Sequence, residues 1–216
     1  MAYLRGRRLI ELLALGRPWI GELFVRGAGS SAQAAETWDG AYRDGHYDQL
    51  LDSDRRHHHR LLAALVGEIA PQPRILDIGC GEGAFYRSAR ALPPRRYLGV
   101  DLSPEGIARA RARFAADLIP GQVEFVAADG AAFTTDDTFD AIVFADCLEY
   151  LGPPEAFLAH YAHNLAPGGV FGFTQWLGVK PLRLWRRIRA ATEIVDEAVV
   201  QAPWGGAWQV WTCRPR

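Results

Sequence analysis

The chain has 216 residues, of which 49% are hydrophobic and 11% aromatic, and 24 basic side chains offset 25 acidic ones for a formal net charge of -1. A chain of this length can bury roughly 70% of its unfolded surface, so we expect one globular domain with or without a short appendage, not disorder or fibre. The apolar runs are far shorter than the roughly 20 residues of a membrane-spanning helix, and the balanced charge offers no general attraction to nucleic acid. Three scattered cysteines fit neither a disulfide framework nor a C-x-x-C metal site, which predicts a cytoplasmic protein.

The first 35 residues indicate an N-terminal amphipathic segment followed by a linker. Basic residues precede an apolar patch, as in a signal peptide, but Glu11 interrupts the patch and no small-x-small cleavage site follows promptly. The apolar spacing between Leu9 and Phe24 predicts one or two helical turns, and the small, polar stretch 27–35 predicts the linker. The turns have three open roles: packing on the domain, lying on a membrane surface, or joining two copies of the chain as a homodimer.

From about residue 55 onward, helical and strand patterns alternate. Helices are predicted at 54–70, at 83–91, from Pro104 with Ser103 as the N-cap, and at 154–165; strands are predicted at 74–78, 97–100, 123–127, 139–145 and 169–175. Strands separated by helices form right-handed crossovers in a mostly parallel sheet. The last two strands, at 193–201 and 207–213, are joined only by a short Pro-Trp-Gly-Gly turn, which predicts an antiparallel hairpin.

The first strand ends in glycines, in the motif ILDIGCGEG at 75–83. Glycines between a strand and a helix let backbone N–H groups approach a polar ligand, because no Cβ stands in the way. Asp101 ends the next strand, where a carboxylate can accept hydrogen bonds from both hydroxyls of a ribose. The glycines at 79, 81 and 83 are one residue short of G-x-G-x-x-G, which disfavours a nicotinamide dinucleotide.

These motifs, in this order, resemble the class I S-adenosylmethionine-dependent methyltransferases. The resemblance covers 74–216 and rests on ILDIGCGEG, YLGVDLS at 97–103, VEFVAADG at 123–130, FDAIVFADCLEYL at 139–151 and LAPGGVFGF at 165–173. It implies a Rossmann-like, doubly wound α/β fold with a seven-stranded, mostly parallel sheet and an antiparallel C-terminal hairpin. The implied cofactor is S-adenosyl-L-methionine, with S-adenosyl-L-homocysteine as the product.

The resemblance also implies which residues bind the cofactor. The glycine turn would lie against the methionine part, with Asp77 under the ammonium, although Asp77 is open to a structural role in bonding loop amides. Asp101 would bind the ribose hydroxyls, Leu102 would pack on the adenine, and Asp129 would face the adenine amino group. The implied residues of the core are Asp77, Gly79, Cys80, Gly81, Asp101, Leu102, Asp129, Gly130 and Ala145, the last bordering the methyl donor with the Asp146 backbone.

A second motif, W-x-x-x-Y-x-x-G, precedes the core and resembles that of small bacterial methyltransferases acting on secondary metabolites or glycans. Here Trp38 and Tyr42 share one face of a short helix, and Gly45 follows as its C-cap. Such a helix could close over the cofactor, exclude water and place aromatic faces near a sulfonium, or it could simply pack. We therefore divide the chain into an N-terminal segment at 1–35, a helical lid at 36–70 and a cofactor-binding core at 71–216.

The implied reaction is transfer of a methyl group to an O or N atom of a small molecule: a secondary metabolite, a sugar or a peptide end. The protein mainly aligns the two reacting atoms, and a base is needed only if the acceptor holds a proton. The candidate bases are Asp146, Glu149, Tyr150 and His46. Two alternatives are a non-catalytic protein that binds the cofactor as a scaffold and, less favoured, a nicotinamide oxidoreductase.

The histidine run at 57–59 attracts attention as a metal site. Neighbouring residues on a helix point about 100° apart, so the run lacks the i, i+4 pair of a helical zinc site, and no metal is expected. The basic stretch 180–189 is interpreted as a solvated face, although it could attract an anionic acceptor. Candidates to line an acceptor pocket are Trp176, Trp185, Trp204 and Trp208.

Overall fold

The computed structural model describes residues 31–45, 47–51, 56–203 and 205–216. The helices are α1 (Ser31–Arg43), α2 (His57–Ile69), α3 (Tyr86–Ala89), α4 (Pro104–Arg113), α5 (Pro154–Ala162) and α6 (Val179–Ala191). The strands are β1 (Arg74–Ile78), β2 (Arg96–Asp101), β3 (Val123–Ala127), β4 (Phe139–Ala145), β5 (Leu165–Trp176), β6 (Thr192–Gln201) and β7 (Ala207–Pro215). Most of the N-terminal segment, with its proposed homodimer contact, and the candidates His46 and Trp204 lie outside the described residues.

The strands form one seven-stranded sheet in the order β3-β2-β1-β4-β5-β7-β6. All neighbours from β3 to β5 are parallel, whereas β7 runs antiparallel to both β5 and β6. This is the predicted doubly wound sheet with an antiparallel C-terminal hairpin. None of the described helices has the length and apolar character needed to cross a membrane.

Both faces of the sheet are covered by helices because its central strands are apolar on both faces. In β4, Ala141 and Val143 pack in the cluster under α2 and α4, whereas Ile142 and Phe144 pack in the cluster under α5 and α6. A parallel strand that is buried on both faces needs a continuous apolar run, which FDAIVFA provides.

The strand order reverses between β1 and β4, and ligands of such sheets bind at this switch point, beyond the carboxyl ends of the strands. The register pairs Ile78 with Val100 of β2 and with Phe144 of β4. The residues that follow these three positions, Gly79, Asp101 and Ala145, therefore meet at one edge of the sheet.

Three elements differ from expectation. The helix predicted at 83–91 is only the single turn α3, because Gly83 adopts a left-handed φ of 85°. Strand β5 begins at Leu165, four residues early, since a register irregularity opposite Phe139 and Ala141 admits the Pro-Gly-Gly stretch. Helix α1 begins at Ser31, so the last five residues of the expected linker are helical.

The basic stretch 180–189 lies within α6 and is not a bare cationic face. Arg187 forms an ion pair with Glu155, and Arg189 pairs with Glu197. These exposed pairs contribute little to stability, but they neutralise part of the charge that could attract an anionic acceptor.

Candidate active site

The glycine turn after β1 is held by its own backbone. The N–H groups of Gly79 and Cys80 both donate to the carbonyl of Val100, at 2.8 and 3.1 Å. Gly79 and Gly81 have φ values of 73° and 52°, and a Cβ on Gly79 would lie 2.6 Å from Cys147 Cβ. Only glycine is tolerated at such positions, and the turn therefore presents bare backbone to the cleft.

The third glycine of the motif has a different role. A Cβ on Gly83 would lie 2.6 Å from the ring of Phe114. Gly83 therefore allows the turn to pack on the core, and the odd glycine spacing reflects packing, not ligand contact.

Asp101 lies directly beside the glycine turn. One carboxylate oxygen accepts the N–H of Gly81 and the other accepts the N–H of Ser103, both at 2.8 Å. Burial raises the pKa of Asp101, and these two backbone bonds oppose that rise. Each oxygen keeps a lone pair, so the carboxylate can still accept two hydroxyl groups of a ribose.

Asp77 is fully buried beneath the turn. Its Oδ2 accepts the hydroxyl of Tyr97, whereas its Oδ1 has no hydrogen-bond partner. Burial raises the pKa of Asp77 to about 7, although the Tyr97 bond favours the anion. A buried carboxylate oxygen without a donor is costly, and the structural alternative, that Asp77 bonds loop amides, has no support among the described contacts.

The residues proposed for the adenine side follow β2 and β3. Leu102 is half-buried directly after Asp101. Asp129 Oδ1 accepts the N–H of Ala131 at 2.9 Å, and the Gly130 carbonyl accepts the hydroxyl of Tyr161 at 2.6 Å. Both residues thus lie in a fixed loop at the same edge of the sheet as Asp101.

Helix α1 packs on the N-terminal end of α4. The Asp39 carboxylate accepts the hydroxyl of Ser103 and, at 3.1 Å, the N–H of Glu105. Tyr42 is buried on the glycine turn, since a Cβ on Gly81 would lie 2.3 Å from the Tyr42 hydroxyl. Burial raises the pKa of Tyr42 and nearby Asp101 adds to the rise, so the phenol stays neutral.

Trp38, one turn before Tyr42, reaches the other side of the cleft. Its ring contacts Tyr150 edge-on, with centroids 4.8 Å apart. Tyr150 belongs to the short turn Leu148–Tyr150 that follows β4, together with the candidate base Glu149. Gly45 follows the end of α1 and has a left-handed φ of 70°, which suits the C-cap position.

Asp146 has an unusual environment directly after β4. Its φ of 58° is the one positive value among the described non-glycine residues. Oδ2 contacts the Nε2 atoms of His58 at 2.8 Å and His59 at 3.1 Å, and Oδ1 accepts the Thr174 hydroxyl at 3.1 Å. Burial would raise the pKa of Asp146, but the two imidazoles outweigh it and hold the pKa well below its usual range. The Asp146 carboxylate thus already has three polar partners, and its role as a base stays a prediction.

The sequence argument that the adjacent histidines diverge is wrong for His58 and His59. Their rings lie 4.2 Å apart and both meet Asp146, which is 87 residues or more away in sequence. His58 also stacks on Trp208, with centroids 4.4 Å apart and an interplanar angle of 5°. A signal was available, because His58 shares the spacing i, i+4, i+8 with the buried residues Leu62 and Val66.

Comparison with known proteins agrees with this geometry. Residues 75–169 match the methyltransferase domain family. The trans-aconitate 2-methyltransferase of Streptomyces avermitilis is 36% identical over 114 residues, which are 52% of this chain and 42% of that protein. Nodulation protein S of Rhizobium tropici is 32% identical over 126 residues, 55% of this chain and 50% of that protein. The chain thus spans half or less of the length of these two curated relatives.

Among solved structures, the N-methyltransferase NodS from Bradyrhizobium japonicum WM9, in complex with S-adenosyl-L-homocysteine, shares the fold. The TM-score is 0.68 at 22% identity, covering 87% of this chain and 99% of that chain. The sheet order and the glycine turn define a Rossmann-like domain, and Asp101 lies at the edge of the sheet where such folds hold nucleoside-containing ligands. The match over 75–169 and the shared fold support a class I S-adenosylmethionine-dependent methyltransferase domain, with S-adenosyl-L-methionine as its cofactor.

Proposed function

We propose that this protein transfers a methyl group from S-adenosyl-L-methionine to an O or N atom of a small molecule. The observation that carries the proposal is the pair of carboxylates that flank the bare glycine turn. Asp77 offers an unpartnered buried oxygen beneath the turn, and Asp101 offers two acceptor oxygens beside it. The first suits an ammonium group and the second suits the two hydroxyls of a ribose.

The other predicted residues complete this arrangement. Gly79, Cys80 and Gly81 would lie along the methionine part of the ligand. Leu102, Asp129 and Gly130 would hold the adenine. Ala145, at the carboxyl end of β4, would border the transferable methyl group.

We infer that α1, within the expected lid at 36–70, acts as a lid on the core at 71–216, whereas α2 packs Leu62 and Val66 against the sheet and is part of the core. Tyr42 covers the glycine turn and Trp38 meets Tyr150 on the far side, so α1 spans the cleft. A cover of aromatic rings excludes water and offers π faces to a sulfonium.

When bound, the cofactor supplies an electrophilic methyl group on a positively charged sulfur. The chain's own residues hold the acceptor in line with that methyl group and exclude water. Tyr150 contacts Trp38 of the lid and Glu149 precedes it in the same turn. Both stay candidates for the base, as do Asp146 and His46. An amine acceptor that is already neutral would need none of them, and NodS, whose fold this chain shares, is an N-methyltransferase.

We also propose that the protein works in the cytoplasm, in secondary metabolism, on a small molecule or a peptide end. Cys80, Cys147 and Cys213 are free and buried, which suits a reducing compartment. Among the described residues no inserted unit extends the cleft, so the acceptor surface is formed by the lid and the loops beyond the sheet.

Calorimetric titration with S-adenosylmethionine, S-adenosylhomocysteine and NADH tests the cofactor assignment. We expect the first two to bind and NADH not to bind.

Asp101→Ala should weaken binding of S-adenosylhomocysteine by about 1–3 kcal/mol, the cost of a lost hydrogen bond to a charged group. Asp136→Ala is the matched control, because Asp136 is exposed and precedes β4 at the opposite edge of the sheet.

An unchanged dissociation constant in Asp101→Ala would contradict the placement of the ribose.

Transfer of labelled methyl groups to a panel of small amines, hydroxyl compounds and sugars then tests turnover. Binding without transfer to any of them would favour the scaffold alternative, and preferential binding of NADH would favour the oxidoreductase.

A further inference from the structure

We propose that His58, His59 and Asp146 form a binding site for a divalent transition-metal ion of the zinc type. The ligands would be the two Nε2 atoms and the carboxylate. They come from the first turn of α2 and from the residue after β4. This site is separate from the carboxylates that flank the glycine turn, and the proposal does not depend on methyl transfer.

The spacing of the three ligand atoms suits such an ion. One ligand atom of each residue lies within 4.8 Å of the others, and the Asp146 oxygen is 2.8 and 3.1 Å from the two nitrogens. Zinc–nitrogen and zinc–oxygen bonds of about 2.0–2.2 Å place tetrahedral ligands about 3.3–3.5 Å apart. The Asp146 oxygen therefore needs to move away from the two nitrogens by only a few tenths of an ångström to admit the ion.

The chemistry of this ligand set is equally specific. Two imidazoles and one carboxylate are ligands that zinc and iron(II) accept and that calcium and magnesium do not favour. The histidines are almost fully buried, whereas the Asp146 side chain is 23% exposed. Three protein ligands would leave a coordination position open, and Asp146 is the one of the three that solvent reaches.

The site is held in place by residues behind it. The backbone N–H of Asp146 donates to the Thr174 carbonyl at 2.9 Å, and its Oδ1 accepts the Thr174 hydroxyl. The ring of Trp208 fixes the plane of His58 by stacking. Asp146 has a left-handed φ of 58°, which aspartate adopts more readily than most residues, and its carboxylate faces the two histidines.

The structure also limits the affinity. A carboxylate only accepts, so both Nε2 atoms donate to Asp146 when no metal is bound. A metal on Nε2 would displace that proton and leave Nδ1 as the ring nitrogen that needs an outer partner. Both Nδ1 atoms are buried and have no hydrogen-bond partner. Because an outer partner at this position usually strengthens a metal site 10- to 100-fold, we expect an exchangeable ion, not a permanent structural one.

Titration of the untagged, metal-stripped full chain with zinc alone tests the proposal. We expect one zinc ion per chain, and cobalt(II) in its place should give the visible absorption bands of a low-coordinate site. His59→Ala and Asp146→Asn should each weaken zinc binding about 100-fold or more. His57→Ala is the matched control and should bind like the wild type, because His57 is exposed on the same turn of α2.

Absence of zinc binding by the wild type would overturn the site, as would an equal loss of binding in His57→Ala and His59→Ala. Circular dichroism checks that each variant is folded. If a histidine variant does not fold, Asp146→Asn still tests the site, because asparagine has nearly the same volume as aspartate. S-adenosylhomocysteine binding, measured separately without metal, distinguishes a failure of this site from a failure of the proposed function.

Discussion

Asp77 is a buried carboxylate that the fold itself satisfies only in part. Its backbone position is dictated by β1, where Ile75, Leu76 and Ile78 are all buried, so the carboxylate has no route to water. Tyr97 satisfies only one of its oxygens. A carboxyl group with this environment keeps its proton to higher pH than usual.

The raised pKa of Asp77 predicts a pH dependence. Because the pKa rises to about 7 in the folded protein, the neutral carboxyl favours folding. Asp77 therefore adds roughly 4 kcal/mol to the free energy of unfolding below pH 4, and this contribution is lost as pH rises through 7. Denaturant unfolding of the ligand-free protein between pH 4 and 8 measures it, with Asp77→Asn as the reference that lacks the titration.

Ligand binding should show the opposite trend, since an ammonium pairs with the ionised form of Asp77. We expect the affinity for S-adenosylhomocysteine to increase between pH 6 and 8 in the wild type and to stay nearly constant in Asp77→Asn. Parallel curves for the two proteins would mean that Asp77 does not face the ammonium group.

At the scale of elements, α1 is held to the core by a capping interaction between two segments. The N-cap Ser103 satisfies Gly106 within α4, and Asp39 of α1 adds a second acceptor at the same helix end. A negative charge at a helix N-terminus is favourable because it meets free N–H groups and the positive end of the dipole. Helix α1 is therefore attached to the element that follows Asp101.

Asp39→Ala should loosen the lid without disturbing the sheet. We expect the free energy of unfolding to fall by about 1 kcal/mol, which is typical of a lost helix-capping interaction. We also expect faster dissociation of S-adenosylhomocysteine in stopped-flow measurements. Glu36→Gln is the control, because Glu36 is exposed on the same helix. If both variants release the ligand at the wild-type rate, α1 is a packing helix and not a lid.

At the scale of the whole molecule, the C-terminal hairpin belongs to the core. Trp211 of β7 is fully buried and stacks on Phe173 of β5, with centroids 5.0 Å apart. Trp208, three residues earlier, packs on His58. Strand β7 thus connects the central sheet with the residues that meet Asp146.

Trp211→Ala should destabilise the entire domain. Removing a buried tryptophan costs about 3–5 kcal/mol, which for a chain of this size lowers Tm by about 6–20 °C. Val199→Ala in β6 should leave Tm within a few degrees, since Val199 is 51% exposed. Differential scanning calorimetry measures both, and a small loss for Trp211→Ala would indicate that the hairpin is not part of the cooperative unit.

Local patterns in the sequence determined the sheet and the cofactor cleft. The bounds of β1, β3 and β4 follow from short apolar runs ended by glycine or aspartate, and Ser103 is the N-cap because it precedes Pro104. These features depend on neighbours in sequence, so periodicity and turn chemistry are enough to locate them.

Only the tertiary structure decided which distant side chains meet. The contact of His58 and His59 with Asp146 depends on how α2 packs across β4 and β5. The local spacing of His58 with Leu62 and Val66 indicates only which face of α2 is buried. Tertiary packing likewise decides the contacts of Asp39 with the end of α4 and of Tyr42 with Gly81. Local chemistry thus specified the elements, whereas long-range packing specified the surroundings and protonation of the groups at the site.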